Sequence, residues 1–198
     1  MILLGFAVLG LIAGLLTRGS LRALSRYPLK GLWLPIAAYA LKACAAFLLT
    51  PQQGAVVVAL LQYALLILFL LLNLRRPVWP LFAFAGTLLN FLVIVLNGGC
   101  MPVSPSLLGE AGARLTLLAQ GRVYAYILMD ATTRLPLLGD IIRVGAAARP
   151  LGFASIGDLL LGIGVAILCW QMTRKAKPAK QDKTEARVDA ENAFKSCS

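Results

Sequence analysis

Five long apolar runs, set apart by loops that carry nearly all the charge, constrain this chain more than any other feature. They cover residues 1–16, 32–49, 55–74, 81–97 and 157–172. A helix that crosses the hydrocarbon of a bilayer needs ~20 mostly apolar residues, and ~17 is near the lower end. Backbone amides find no water in lipid, so such runs close their hydrogen bonds internally as helices. The expected fold is an all-α integral membrane protein with five transmembrane helices, forming a single membrane domain over residues 1–172. Composition agrees. Of 198 residues, 60% are hydrophobic and 14% charged; soluble domains are roughly 45–50% apolar.

The first run lacks the basic start and the small-residue cleavage site of a signal peptide, so it is expected to remain as the first helix. Within it, Gly10 and Gly14 form a small-xxx-small pair that invites close approach of another helix. Lys42 stands well inside the second run. A charge at such a depth costs at least ~2.5 kcal/mol on insertion scales, which calls for a carboxylate partner, a snorkelling route or a functional role. Gln62 and Asn90 are amides inside apolar runs and are expected to hydrogen-bond between helices.

Between the fourth and fifth runs, residues 98–152 hold no apolar stretch long enough to span. An interfacial or re-entrant helical segment is expected there. It begins with the turn "NGGCMPV", in which Gly98 and Gly99 permit positive φ and Pro102 stiffens the chain beyond them. Residues 173–198 are polar and charged and are expected to form a disordered basic tail.

The net charge of +11 does not indicate a nucleic-acid partner. The basic residues flank apolar runs, as the positive-inside rule requires, without the interleaved aromatics of a nucleic-acid surface. Arg18, Arg22, Arg26 and Lys30 recur every four residues, Arg75 and Arg76 follow the third run, and the tail is rich in Lys. With five spans these lie on one face, expected to be cytoplasmic and to attract anionic lipid head groups. The N-terminus and residues 98–152 then face outward, and the C-terminus lies in the cytoplasm.

Acids are scarce. Four of the eight, Asp182, Glu185, Asp189 and Glu191, lie in the tail; Glu110, Asp130, Asp140 and Asp158 fall in or beside the outward segment. Asp158 follows Ser155 in a capping-box pattern at the start of the last run, and an acid there also suits the helix dipole. Asp140 has Arg134, Arg143 and Arg149 nearby in sequence as pairing partners. Together the two acids suggest sharper chemistry. A metal-free peptide hydrolase places two carboxylates around one water, one ionised and one protonated, their proton affinities split by proximity and burial. The chain has no histidine and no CxxC spacing, so neither a metal site nor a cofactor is expected.

The "NGGCMPV" turn, the "LGDII" segment and the "FASIGDLLLGIG" stretch resemble an uncharacterised family of small bacterial integral membrane proteins. That likeness implies a bacterial plasma-membrane location and no assigned activity. The last two segments are also similar to the C-terminal part of lipoprotein signal peptidase (signal peptidase II). That family carries its catalytic aspartates in a Val-Asp-Phe-Ile-like segment and a Phe-Asn-x-Ala-Asp-like start to its last helix. The likeness implies Asp140 and Asp158 as a catalytic dyad, with Phe153 at the family's Phe and Asn97 and Gly99 in its Asn-x-Gly loop. Ser155 and Gly157 replace the motif's Asn and Ala, and its Asn-Leu-x-Asp-Arg motif is missing.

Three functions are open. The first is a membrane scaffold or partner-binding protein that uses residues 98–152 toward another membrane protein. The second is an aspartyl-dyad peptidase-like enzyme acting on a lipid-anchored or membrane peptide. The third is a small ion-coupled carrier that uses Lys42 with an aspartate. Asn97, Gly98, Gly99, Phe153, Ser155, Arg143 and Lys42 are the candidate binding residues around the acid pair.

Overall fold

The computed structural model describes residues 2–110, 116–118, 120–146 and 149–174; the expected tail lies outside them from residue 175 on. Five α-helices occupy the apolar runs. They are α1 (Ile2–Leu16), α2 (Trp33–Leu48), α3 (Ala55–Asn73), α4 (Trp79–Leu96) and α5 (Ile156–Thr173). By length and composition three of them, α3, α4 and α5, are long and apolar enough to cross a membrane; α1 and α2 are shorter apolar helices.

Contacts give each helix a direction: Leu34 near the start of α2 packs with Phe69 and Leu70, and Ala45 near its end with Ala55, so α2 runs antiparallel to α3. On α1, Phe6, Gly10 and Gly14 meet Gly162, Ala166 and Thr173 of α5 in that order, so the first and last helices run parallel. Ala83, Gly86 and Asn90 of α4 meet α5 in the reverse order, at Gly164, Gly157 and Ser155, so these two are antiparallel. Aromatic pairs Tyr63–Phe91 and Phe69–Trp79 set α3 antiparallel to α4. At Gly10 and Gly14 an added Cβ would run into the Ala166 carbonyl and the Thr173 side chain. The small pair in the first run is therefore where α1 lies on α5.

Residues 98–154 depart from the expected helical segment. The described ones form a small cap of strands and 3-10 turns, with a short helical stretch at 116–118. Strand β1 (Met101–Val103) pairs in parallel with β2 (Tyr126–Leu128), and β3 (Ile142–Ala146) forms an antiparallel pair with β4 (Arg149–Ala154). The segments "VYAYIL" and "IIRVG" are β-branched and aromatic, which suits a pleated, half-buried surface better than a helix. Every residue of β1 is buried, and Val103, Leu107 and Leu118 form the cap's own core.

The cap is fastened to one end of the bundle. Gly98 and Gly99 have φ of 69° and 82°, as the turn requires, and Gly99 packs against the backbone of Ala55 and Val56 at the start of α3. The Ala125 amide donates to the Pro51 carbonyl at 2.9 Å. At the opposite end a 3-10 helix, Leu21–Arg26, follows α1, and Ser20 N–H donates to the Thr173 carbonyl at 2.7 Å.

Replacing Gly14 by Val should lower the unfolding free energy by about 1–3 kcal/mol, because the α1–α5 contact has no room for a branched side chain. Gly5, with nothing within 4 Å of an added Cβ, is the control; Gly5→Ala should not lower it and should raise it by up to about 1 kcal/mol through helix propensity. Denaturant titration of the purified protein in detergent reads both.

Candidate functional site

The acid pair lies where the cap meets the bundle. Asp140 is held by its backbone in a strand-like position beside β1. Its N–H donates to the Pro102 carbonyl at 2.9 Å, its carbonyl accepts from Ser104 N–H at 3.0 Å, and it bridges to Val103. β1 thus has β2 on one edge and Asp140 on the other. The Asp140 side chain is buried, only 5% exposed, and its Oδ1 has no hydrogen-bond partner. Burial and the neighbouring charge of Asp158 push its pKa up from the ordinary 3.8 to about 7, against the pull of Lys42. An unpaired buried carboxylate is costly, and the group relieves that cost by holding its proton.

Asp158 is supported quite differently. The capping box expected from the sequence is formed. Ser155 Oγ accepts from Asp158 N–H at 2.9 Å, and Asp158 Oδ2 accepts from Ser155 N–H at 3.2 Å. Asn90 reaches across from α4: its Nδ2 donates to Asp158 Oδ1 at 2.7 Å, and its Oδ1 accepts from Ser155 Oγ at 2.8 Å. The expected interhelical role of Asn90 is therefore to hold the second acid. Close contact of Gly157 with Asn90 and with Gly86 brings the two helices near enough for this.

Lys42 lies within electrostatic reach of both acids, with its ammonium 5.5 Å from the centre of the Tyr126 ring on β2. Beside it is a cleft of about 10 Å³, lined by Lys42, Gln62, Tyr63, Gly99 and Tyr124 among others. That is room for about one water.

The remaining candidates build the cap. Asn97 caps the end of α4 and grips the cap's backbone, its Nδ2 donating to the Arg134 carbonyl at 2.8 Å and its Oδ1 accepting from Arg134 N–H at 2.9 Å. Gly98 and Gly99 shape the turn. Phe153 packs on the cap's core, opposite Arg143 in the β3–β4 register. Asp130 organises its own exposed turn: Thr132 N–H and Oγ1 donate to its Oδ1 at 2.8 and 2.7 Å. The side chains of Glu110 and Arg149 lie outside the described residues. Among the described residues no cluster of three or more His, Cys, Asp or Glu is placed to hold a metal.

Two parts of the site were not among the residues singled out from sequence. Tyr126 supplies the ring beside Lys42, and Tyr63 is buried in the wall of the cleft. Tyr63 directly follows Gln62, and a polar pair inside an apolar run was the available signal.

Residues 26–170 match the model of a family of unknown function. The chain belongs to DUF5317. The matched region takes in α2 to α4, the cap, both aspartates and most of α5, so the site lies wholly inside what defines DUF5317. An uncharacterised family was expected from the sequence, and its description assigns DUF5317 neither a host nor an activity. No curated protein and no solved structure matches the chain.

The raised pKa of Asp140 fixes the sign of a pH effect. Between the ordinary value of 3.8 and about 7, the folded state holds a proton that the unfolded chain has released. Stability should therefore fall as pH rises through that window and level off above it. Asp140→Asn should flatten this slope and melt above the wild type at pH 8. Thermal melting in detergent across the window measures it.

Proposed function

We propose that this DUF5317 protein is a five-span protein of the bacterial cell membrane whose activity resides in the Asp140–Asp158 pair. All five spans rest on the up-and-down order of the helices. α1 and α2, at 15 and 16 residues, lie against longer helices. At 1.5 Å per residue they reach ~22–24 Å, so they cross with some thinning of the bilayer. Their lipid-facing character fits, since Leu4, Leu9, Ile36 and Phe47 are all exposed. The cap then faces outward, and the basic end, with Arg22, Arg26, Arg75 and Arg76, faces the cytoplasm.

The chemistry is metal-free hydrolysis of a peptide anchored in the membrane, through an aspartyl dyad. The observation that carries it is the buried, unpartnered carboxyl oxygen of Asp140 within electrostatic reach of a second acid that Asn90 and Ser155 hold in place. Asp140, in its protonated form, donates to the scissile carbonyl oxygen, and ionised Asp158 takes a proton from the attacking water. Hydroxyl adds to the carbonyl carbon. When the C–N bond breaks, the proton on Asp158 passes to the leaving nitrogen, and Asp140 recovers its own from the collapsing intermediate. The partial likeness to signal peptidase II at these two aspartates points the same way.

A second reading is favoured by one observation. The cleft of about 10 Å³ beside Lys42 admits no peptide while the cap is seated. On that reading the cap is an outward partner-binding surface, and the acids hold it down.

The full chain in proteoliposomes, given a synthetic diacylated lipopeptide and followed by mass spectrometry, separates the two. The hydrolase reading predicts cleavage that falls about 10²–10⁴-fold in Asp140→Asn and in Asp158→Asn while both variants still insert and elute normally. A wild-type protein that leaves the lipopeptide intact favours the partner-binding reading. Orientation is checked separately. In a cysteine-free background, a cysteine at Leu137 should react with an impermeant maleimide from outside, and one at Arg75 only after permeabilisation.

A further inference from the structure

At the end of the bundle opposite the cap, four arginines from three separate loops converge on one open cavity of about 590 Å³. Arg22 and Arg26 come from the 3-10 helix after α1, Arg76 from the α3–α4 connection, and Arg174 from the end of α5. We propose that this cavity binds the phosphate of an anionic phospholipid head group. The proposal rests on the membrane reading but is independent of the acid pair.

Charge is the first argument. Among the described residues no acid lines the cavity. Four like charges facing one space repel, and an anion between them removes that repulsion. Guanidinium groups also match phosphate oxygens with paired, directional donors.

Positioning is the second. Two of the four guanidiniums are held by stacking and hydrogen bonds to neutral groups, which leaves their charge uncompensated. Arg76 donates to the Pro28 carbonyl at 2.7 Å and lies 5.4 Å from the centre of the Tyr27 ring, and Arg174 lies 4.4 Å from that of Trp170. The Tyr27 hydroxyl donates to Gln171 Oε1 at 3.3 Å, which ties the 3-10 helix to α5 across the floor. Among the described residues, the side chains of Arg22 and Arg26 make no hydrogen bond.

The surroundings point to lipid as the source of the phosphate. The cavity lies at the ends of α1 and α5, where a helix leaves the hydrocarbon, and Leu16 and Leu21 beside it in sequence are 80% and 58% exposed. An acyl chain has apolar surface to lie on there, while a soluble anion gains nothing from it. The chain's own tail is a poor occupant. Residues 175–198 carry six Lys and Arg against four acids and would add positive charge.

Native mass spectrometry of the full chain from nanodiscs of neutral phosphatidylcholine doped with phosphatidylglycerol tests this. Wild type should retain one phosphatidylglycerol molecule in preference to phosphatidylcholine. Arg22→Gln combined with Arg26→Gln should weaken that retention about tenfold or more. Arg75→Gln, an exposed change at the same end but outside the cavity, should leave retention unchanged. Millimolar inorganic phosphate should not displace the lipid. Equal loss in Arg75→Gln would mean diffuse attraction to a basic face, and displacement by inorganic phosphate would mean a soluble anion; either result overturns the assignment. Circular dichroism confirms that the variants keep their helices. If the double variant fails that check, Arg174→Gln alone, on the far wall, is held to the same tenfold criterion.

Discussion

The backbone of α5 lies almost in contact with its neighbours on two sides, and the remaining structure is arranged around that fact. Lipid is as apolar as leucine, so helices in a bilayer gain nothing by hiding greasy side chains from it; close packing and interhelical hydrogen bonds hold them together. Here Gly157, Gly162 and Gly164 let α4 and α1 approach α5, and Gly10, Gly14 and Gly86 answer from the other side. Because α4 comes so near, a side chain as short as that of Asn90 spans the gap to Ser155 and Asp158. A larger residue at position 157 would displace the carboxamide and leave the second acid without its cross-helix donor.

The two ends of the bundle are chemically opposite. One carries the cap, Asp140, Asp158 and Lys42, with burial forcing a carboxyl toward its neutral form. The other carries four convergent arginines and, among the described residues that line its cavity, no acid at all. Among the described residues Asp130, Asp140 and Asp158 lie at the cap end, and basic residues dominate the other. That asymmetry places any carboxylate chemistry far from the basic surface.

Hydropathy made the helices legible, since a run that must satisfy its own backbone in lipid has one local solution. The α1–α5 contact was legible in Gly10 and Gly14, and the cap on α5 in the spacing of Ser155 and Asp158. The strands of the cap were not. β1 and β2 are three residues each, too short for a period of two to register, and they pair in parallel across a long connection. Asn97 shows the same limit at the level of one residue. Its likeness to an Asn-x-Gly loop made it a candidate binding residue, and nothing local announced that its amide grips the backbone of Arg134, far along the chain. The arginine cavity was visible only as a stripe over Arg18–Lys30. Arg76 and Arg174 join it through tertiary packing that no local pattern encodes.

The pairing of α1 with α5 bears on how the protein is made. A ribosome releases the chain from its N-terminus, so α1 emerges while its partner is still more than a hundred residues from being translated. Until then its glycine face has no α5 to pack against. The last helix to emerge closes the bundle against both α4 and α1 and brings Asp158 to the cap in the same movement. Folding and completion of the acid site are therefore one late event, and a chain cut short before α5 would lack both.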